Sequence, residues 1–484
     1  MITASAAEQV PVGDRRVTAR RMVAVGVALA LAAVTITATT AATRPRGQPR
    51  LTVAGLAQDP CQPQRVLPLP AQLSGQFEPD SSILRVAGGV YAGPGPRIPA
   101  ESACAAATER ADRDWLATGL VPGATATQRS MATRALLDLN LAVRPDGAVQ
   151  AASLPGSGYD YAWPRDSSWV AVALTDTGHP AMAYQILEFL QRMQGPDGIW
   201  AARYAPDGSG PVRDGRPAEL DADGWVPWAV WSWAVTQPLT PGSPSRRELT
   251  QLWPMVVRAA DADASSLTRD GLPGPAMDYW EDSDQVTLGT AAPLLAGLRA
   301  AADLAADVAA DLGSATAAGQ GRRWAAAAAR LARAITTTFG QDGYQRTPSA
   351  GSGADAAVTF LGPPFAVPDA AVRQAARSAQ RALTVPNGGL RPGTDWPGTP
   401  DVAWTPETAF FALFDAATGQ HGQAAALLDW LAAHRTKLGS LPEQVNSAGR
   451  PASVAPLAWT DAVTLLALLA QAGSLPTVPV PAAG

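Results

Sequence analysis

Carboxylates, arginines and tryptophans are the groups this 484-residue chain can use for chemistry. It has 42 acidic residues, 37 basic ones and 15 tryptophans. Carboxylates hydrogen-bond sugar hydroxyls, and indole faces pack on sugar C–H faces, so this set suits carbohydrate chemistry. Four clusters stand out. Tyr159-Asp160-Tyr161-Ala162-Trp163-Pro164-Arg165-Asp166 puts a rigid donor fork beside an acceptor pair, which can grip neighbouring hydroxyls. The same residues also suit a plain helix start, with Asp166 as N-cap and Arg165 as its surface partner. Asp278-Tyr279-Trp280-Glu281-Asp282-Ser283-Asp284 sets a carboxyl against an indole. Desolvation there would raise its pKa toward that of a general acid, although on composition alone a solvated acidic helix start is the better fit. Glu443 stands in Leu441-Pro442-Glu443-Gln444, ahead of Pro456-Leu457-Ala458-Trp459. In the fourth cluster, Arg391 and Trp404 could line a polar and aromatic cavity.

The scarce residues exclude other chemistries. The sole lysine, Lys437, precedes Leu438, so no GK[ST] phosphate loop can be written. His179, His421 and His434 form no H-E-x-x-H motif, and Cys61 and Cys104 are the only cysteines, so a zinc site is not expected. A net charge of −5 gives no nucleic-acid footprint.

Helical periodicity recurs from about residue 101 onward, predicting about twelve helices, at 101–119, 127–141, 165–177, 180–194, 222–236, 245–267, 284–312, 319–339, 368–382, 405–417, 419–436 and 456–472. Their connections are alternately short and long, as in six helical hairpins arranged in a ring, an (α/α)6 barrel; an irregular helical bundle is the alternative. All four clusters fall on or border the long connections, where a rigid scaffold presents function. Residues 1–21 read as a basic cytoplasmic segment. Residues 22–43 are uncharged and read as a transmembrane or signal segment that places the rest at the membrane's outer face or in the medium. Residues 44–100 read as a Pro/Gly-rich linker with a short strand near Ile83–Tyr91, 101–475 as the helical catalytic domain and 476–484 as a tail. In such a compartment Cys61 and Cys104 are free to pair.

Taken in order on an all-helical chain, YDYAWPRDSSW, WED and LPEQ followed by PLAW resemble glycoside hydrolase family 15, which includes glucoamylases, glucodextranases and some trehalases. The resemblance spans roughly residues 125–472 and implies an (α/α)6 barrel. It implies that Glu281 is the general acid and Glu443 the base that activates water. It also implies that Arg165 and Asp166 hold the terminal sugar, with Tyr159, Trp163 and Trp280 around it, and that Arg391 and Trp404 match a later Arg…Trp segment. Asp223-Gly224 resembles a further short element of the family. The resemblance implies an inverting mechanism that needs no metal or organic cofactor, with the two carboxyls about 6.5–9.5 Å apart and a water between them. The expected partner is an α-linked glucose oligomer or polymer, with the N-terminal segment meeting a membrane. The alternative is a membrane-tethered glycan-binding protein without catalysis.

Overall fold

The computed structural model describes residues 48–240, 242–281, 285–312, 314–473 and 475–481. The apolar segment 22–43 lies outside them. Among the described residues no helix is long and apolar enough to cross a membrane.

Six inner elements close a ring: α3 (Pro164–Asp176), α5 (Asp221–Val235), α7 (Leu288–Leu312), a short 3₁₀ helix (Ala356–Leu361), α10 (Thr405–Ala417) and α12 (Ala458–Gln471). Each packs on the next, and α12 packs back on α3. Each is backed by an outer helix: α4 (Pro180–Met193), α6 (Pro244–Ser266), α8 (Ala315–Thr338), α9 (Ala370–Leu383), α11 (His421–Ala433) and α2 (Ala126–Ala142), the last behind α12. This is the double ring of an (α/α)6 barrel. Sequence explains which helices go inside. From Ala458 to Ala470, α12 is buried all round, whereas α9 buries a single stripe, Val372, Ala375, Ala376, Ala379 and Leu383.

Two details correct the sequence reading. The expected first helix is present as α1 (Ala103–Ala117), but it packs on α2 and stands outside the ring. The sixth inner position is taken by the 3₁₀ helix, inside a stretch read as loop. Six residues are too few to show a helical period.

The linker reading is also corrected over the described residues 48–100, while the short strand expected near Ile83–Tyr91 is present there as two. β1 (Val53–Asp59) and β2 (Gln62–Pro70) form an antiparallel hairpin, and β3 (Gln76–Phe77), β4 (Leu84–Val86) and β5 (Gly89–Val90) form a small sheet. β2 pairs on one side only, so it can carry Pro63, Pro68 and Pro70 without losing ladder bonds. Its Leu67 and Leu69 are buried with Ala54, Ala57 and Leu438. Cys61 and Cys104 form a disulfide, Cα–Cα 5.0 Å, that ties the hairpin to α1. Asp112 of α1 accepts hydrogen bonds from Ser81 and from the backbone and side chain of Ser82.

Aromatic rings plug the barrel axis. Trp169 meets Trp225 at 5.1 Å, Trp228 at 5.2 Å and Phe410 at 5.6 Å between centroids. These three tryptophans are fully buried, so the centre is core, and a ligand can enter only from an end.

Candidate active site

A cavity of about 360 Å³ opens at one end of the barrel, within the roughly 300–1,000 Å³ of small-molecule sites. Every residue lining it lies in the segment before an inner helix or in that helix's first turn. The loop before α3 supplies Tyr159 and Trp163, and α3 itself Arg165 and Asp166. The loop before α5 supplies Arg203 and Arg216, and the loop before α7 Tyr279, Trp280 and Glu281. The segment before α10 supplies Trp396 and Trp404, and α10 Glu407. The segment before α12 supplies Glu443, and α12 Trp459.

Glu443 is pinned by its backbone. β6 (Ala403–Trp404), β7 (Gln444–Val445) and β8 (Pro451–Ala452) form a small sheet joining the loops before α10 and α12. Beside it, the Glu443 N–H donates to Val454 O at 2.8 Å, and its carbonyl accepts from Thr405 N–H at 3.0 Å. The residue is 7% exposed. Tyr159 Oη donates to Glu443 Oε2 at 2.8 Å, and Ser453 Oγ donates to the same oxygen. Burial raises the Glu443 pKa, while the two hydroxyls favour the carboxylate and oppose that rise. Ser453 is itself held by the N-terminal segment, its N–H donating to Arg50 O and its carbonyl accepting from Thr52 N–H.

Glu281 is the more open of the two, its side chain 27% exposed. Its backbone is left-handed, φ 55°, a conformation that costs a non-glycine residue about 1–3 kcal/mol and persists where surroundings enforce it. The preceding residues do so. Arg346 grips Asp278 with two hydrogen bonds, 3.0 and 3.2 Å, and lies 3.6 Å over the Trp280 ring. Asp278 in turn accepts from Trp280 N–H at 3.0 Å and, through its carbonyl, from Glu281 N–H at 2.9 Å. Trp163 Nε1 donates to Glu281 Oε1 at 3.1 Å, Arg165 Nη2 lies 3.7 Å from the same oxygen, and Arg216 pairs with Oε2.

Arg165 is 4% exposed and anchors the floor. It donates to Glu219 at 2.6 Å and Asp221 at 3.3 Å, pairs with Asp166 at 3.4 Å, and sits 4.8 Å over the Trp459 ring. Burial works against its charge, but Asp221, Glu219 and Asp166 outweigh it and raise its pKa. Asp166, 4% exposed, is pushed up to about 6 by burial, against the pull of Arg165. The helix-start alternative for this pair therefore falls: the N-cap of α3 is Trp163, and both charged side chains are buried. Asp278 is buried as well and forms no solvated helix start.

Of the residues singled out by sequence, Tyr159, Trp163, Arg165, Asp166, Trp280, Glu281, Trp404 and Glu443 share the cavity wall. Arg391 does not. Its neighbour Pro392 lines the cavity, while the Arg391 N–H donates to Leu383 O. Asp223 is also elsewhere, buried at the start of α5 and accepting from Trp200 N–H at 3.2 Å. Sequence reasoning missed Arg203, Arg216 and Glu407. A signal for Glu407 was present: α3 opens Trp163-Pro164-Arg165-Asp166 and α10 opens Trp404-Thr405-Pro406-Glu407, both with Trp as N-cap and Pro in the first turn. Nothing comparable marks Arg203 or Arg216.

Chemically, the cavity offers one half-open carboxyl, Glu281, three buried ones, Asp166, Glu407 and Glu443, a guanidinium floor and aromatic walls. Among the described residues no group of three or more His, Cys, Asp or Glu could hold a metal ion.

No family model matches the chain. An uncharacterized glycosyl hydrolase of Methanocaldococcus jannaschii is 27% identical over 175 residues, 36% of this chain and 26% of that protein. The chain thus matches about a quarter of that relative's length. Among solved structures, a bacterial glucoamylase complexed with acarbose aligns with TM-score 0.59 at 16% identity, over 78% of this chain and 62% of its own. The glucoamylase of Saccharomycopsis fibuligera gives 0.55 at 15%, over 70% and 91%. A wild-type glycosidase gives 0.54 at 22%, over 72% and 96%. At such identities the likeness establishes a shared fold.

Proposed function

We propose that this chain is an exo-acting, inverting glycoside hydrolase of the glucoamylase type, releasing terminal α-linked glucose as the β-anomer. The observation that carries the reading is that Glu281 and Glu443 face one cavity over the Arg165–Asp166 floor. Glu281 protonates the glycosidic oxygen. Glu443, its carboxylate favoured by Tyr159 and Ser453, takes a proton from the attacking water. Arg165 and Asp166 hold the hydroxyls of the terminal unit, and the aromatic faces with the carboxylates stabilise the oxocarbenium-like transition state. Closure of the barrel axis by aromatic core leaves the cavity without a second exit, which suits a chain end. The Cys61–Cys104 disulfide supports a location outside the cytoplasm.

The test is hydrolysis of maltooligosaccharides, dextran oligomers and trehalose by the purified chain, with the first-formed anomer from the maltooligosaccharides and dextran oligomers read by proton NMR. Early β-glucose is expected. Absence of glucose release, or release of the α-anomer first, overturns the assignment.

A further inference from the structure

Glu407 is a wall residue to which the mechanism above gives no task. It sits in the first turn of α10, is 3% exposed, and lines the same cavity as Glu281 and Glu443. Its Oε2 is buried and meets no hydrogen-bond donor of the protein. Leaving a buried polar atom unmet costs about 1–3 kcal/mol, so a side chain serving packing alone would be better apolar. Burial, together with the nearby charges of Glu443 and Asp355, pushes its carboxyl up to about 8 against the pull of Arg165. Near neutral pH the group therefore carries its proton and can both donate and accept.

That dual capacity matches one ligand chemistry. A sugar hydroxyl also donates and accepts, so it can satisfy a protonated carboxyl without a second full negative charge beside Glu443. A charged ligand group would match it less well: a cation would call for the ionised form, and an anion would meet Glu443. Resting on the glycosidase reading of this cavity, we propose that Glu407 is a specificity-determining residue that holds one hydroxyl of the terminal sugar, beside the Arg165–Asp166 grip.

The experiment is calorimetric titration of glucose and of 2-, 3-, 4- and 6-deoxyglucose into wild type, Glu407→Leu and Glu407→Met, with maltotriose hydrolysis by wild type measured alongside and folding checked by circular dichroism. Met keeps the length of the side chain and serves if the Leu variant does not fold. Expected is a loss of about tenfold or more in glucose affinity in the variants, the scale of one buried polar group left unmet. That loss should vanish for one of the four deoxy sugars, the one lacking the hydroxyl that Glu407 holds. Variants that bind glucose as wild type does, or that lose affinity equally for all four deoxy sugars, overturn the inference while an active wild type leaves the glycosidase reading standing. A wild type that neither cleaves maltotriose nor binds glucose overturns both.

Discussion

Tyr159 Oη donates to Glu443 Oε2 at 2.8 Å, joining the loop before α3 to the loop before α12. Ser453 Oγ donates to the same oxygen. Both bonds stabilise the charged carboxylate, so removing either lets burial raise the Glu443 pKa further. A base must be ionised to work, and its pKa sets the acid limb of the rate profile. Tyr159→Phe and Ser453→Ala should each move that limb of kcat/KM to higher pH, by about one unit if the bond contributes about 1.5 kcal/mol. A pH–rate profile with an unmoved acid limb in both variants would remove the proposed role of Glu443.

Glu281→Gln and Glu443→Gln keep shape and hydrogen bonding but cannot exchange the proton. Each should lower kcat by roughly 10²–10⁴-fold, the usual scale of general acid–base catalysis, with melting temperature little changed. Near-wild-type turnover in either variant, measured on a maltooligosaccharide, would strip that residue of its proposed role.

Glu407 also links stability to pH. Its folded pKa, about 8, lies above the ordinary carboxyl value of 4.5. A group raised in this way binds more protons in the folded state, so stability falls as pH rises from the unfolded value through the folded one. Between pH 5 and pH 8, Glu407→Gln should therefore lose less stability than wild type, by at most a few kcal/mol, read as a smaller drop in melting temperature. Parallel melting curves for the two proteins would show that Glu407 does not titrate in this window.

Gly224 marks where α5 and α7 touch. A Cβ there would run into the backbone of Pro293, and Gly297, one turn further along α7, also abuts the Gly224 backbone. Backbone cannot give way as a side chain can. Gly224→Ala should cost at least the roughly 1–3 kcal/mol of overpacking, read as a lower urea midpoint. A midpoint equal to wild type would mean that the inner ring tolerates a wider spacing.

The N-terminal hairpin is part of the folded unit. Leu69 of β2 is fully buried, and Leu69→Ala should cost about 2–5 kcal/mol in a denaturant titration. A cost near zero would return residues 53–70 to the status of a linker.

The helices and the clusters were legible in the sequence because both are local. Apolar periodicity records which side of a helix is buried, and α2 through α12 fall within a few residues of where it puts them. Motifs such as Tyr159–Asp166 are contiguous, so their residue types show directly. The N-terminal sheet was hidden because prolines on a strand paired on one side read as linker, and the 3₁₀ helix because its six residues are too few to show a period. Only the tertiary structure decided that Glu281 and Glu443 share one cavity, that Glu407 joins them while Arg391 does not, and that Trp169, Trp225 and Trp228 fill the axis. Which side chains converge depends on the closing of the ring, through contacts between residues far apart in sequence, and no local pattern encodes that.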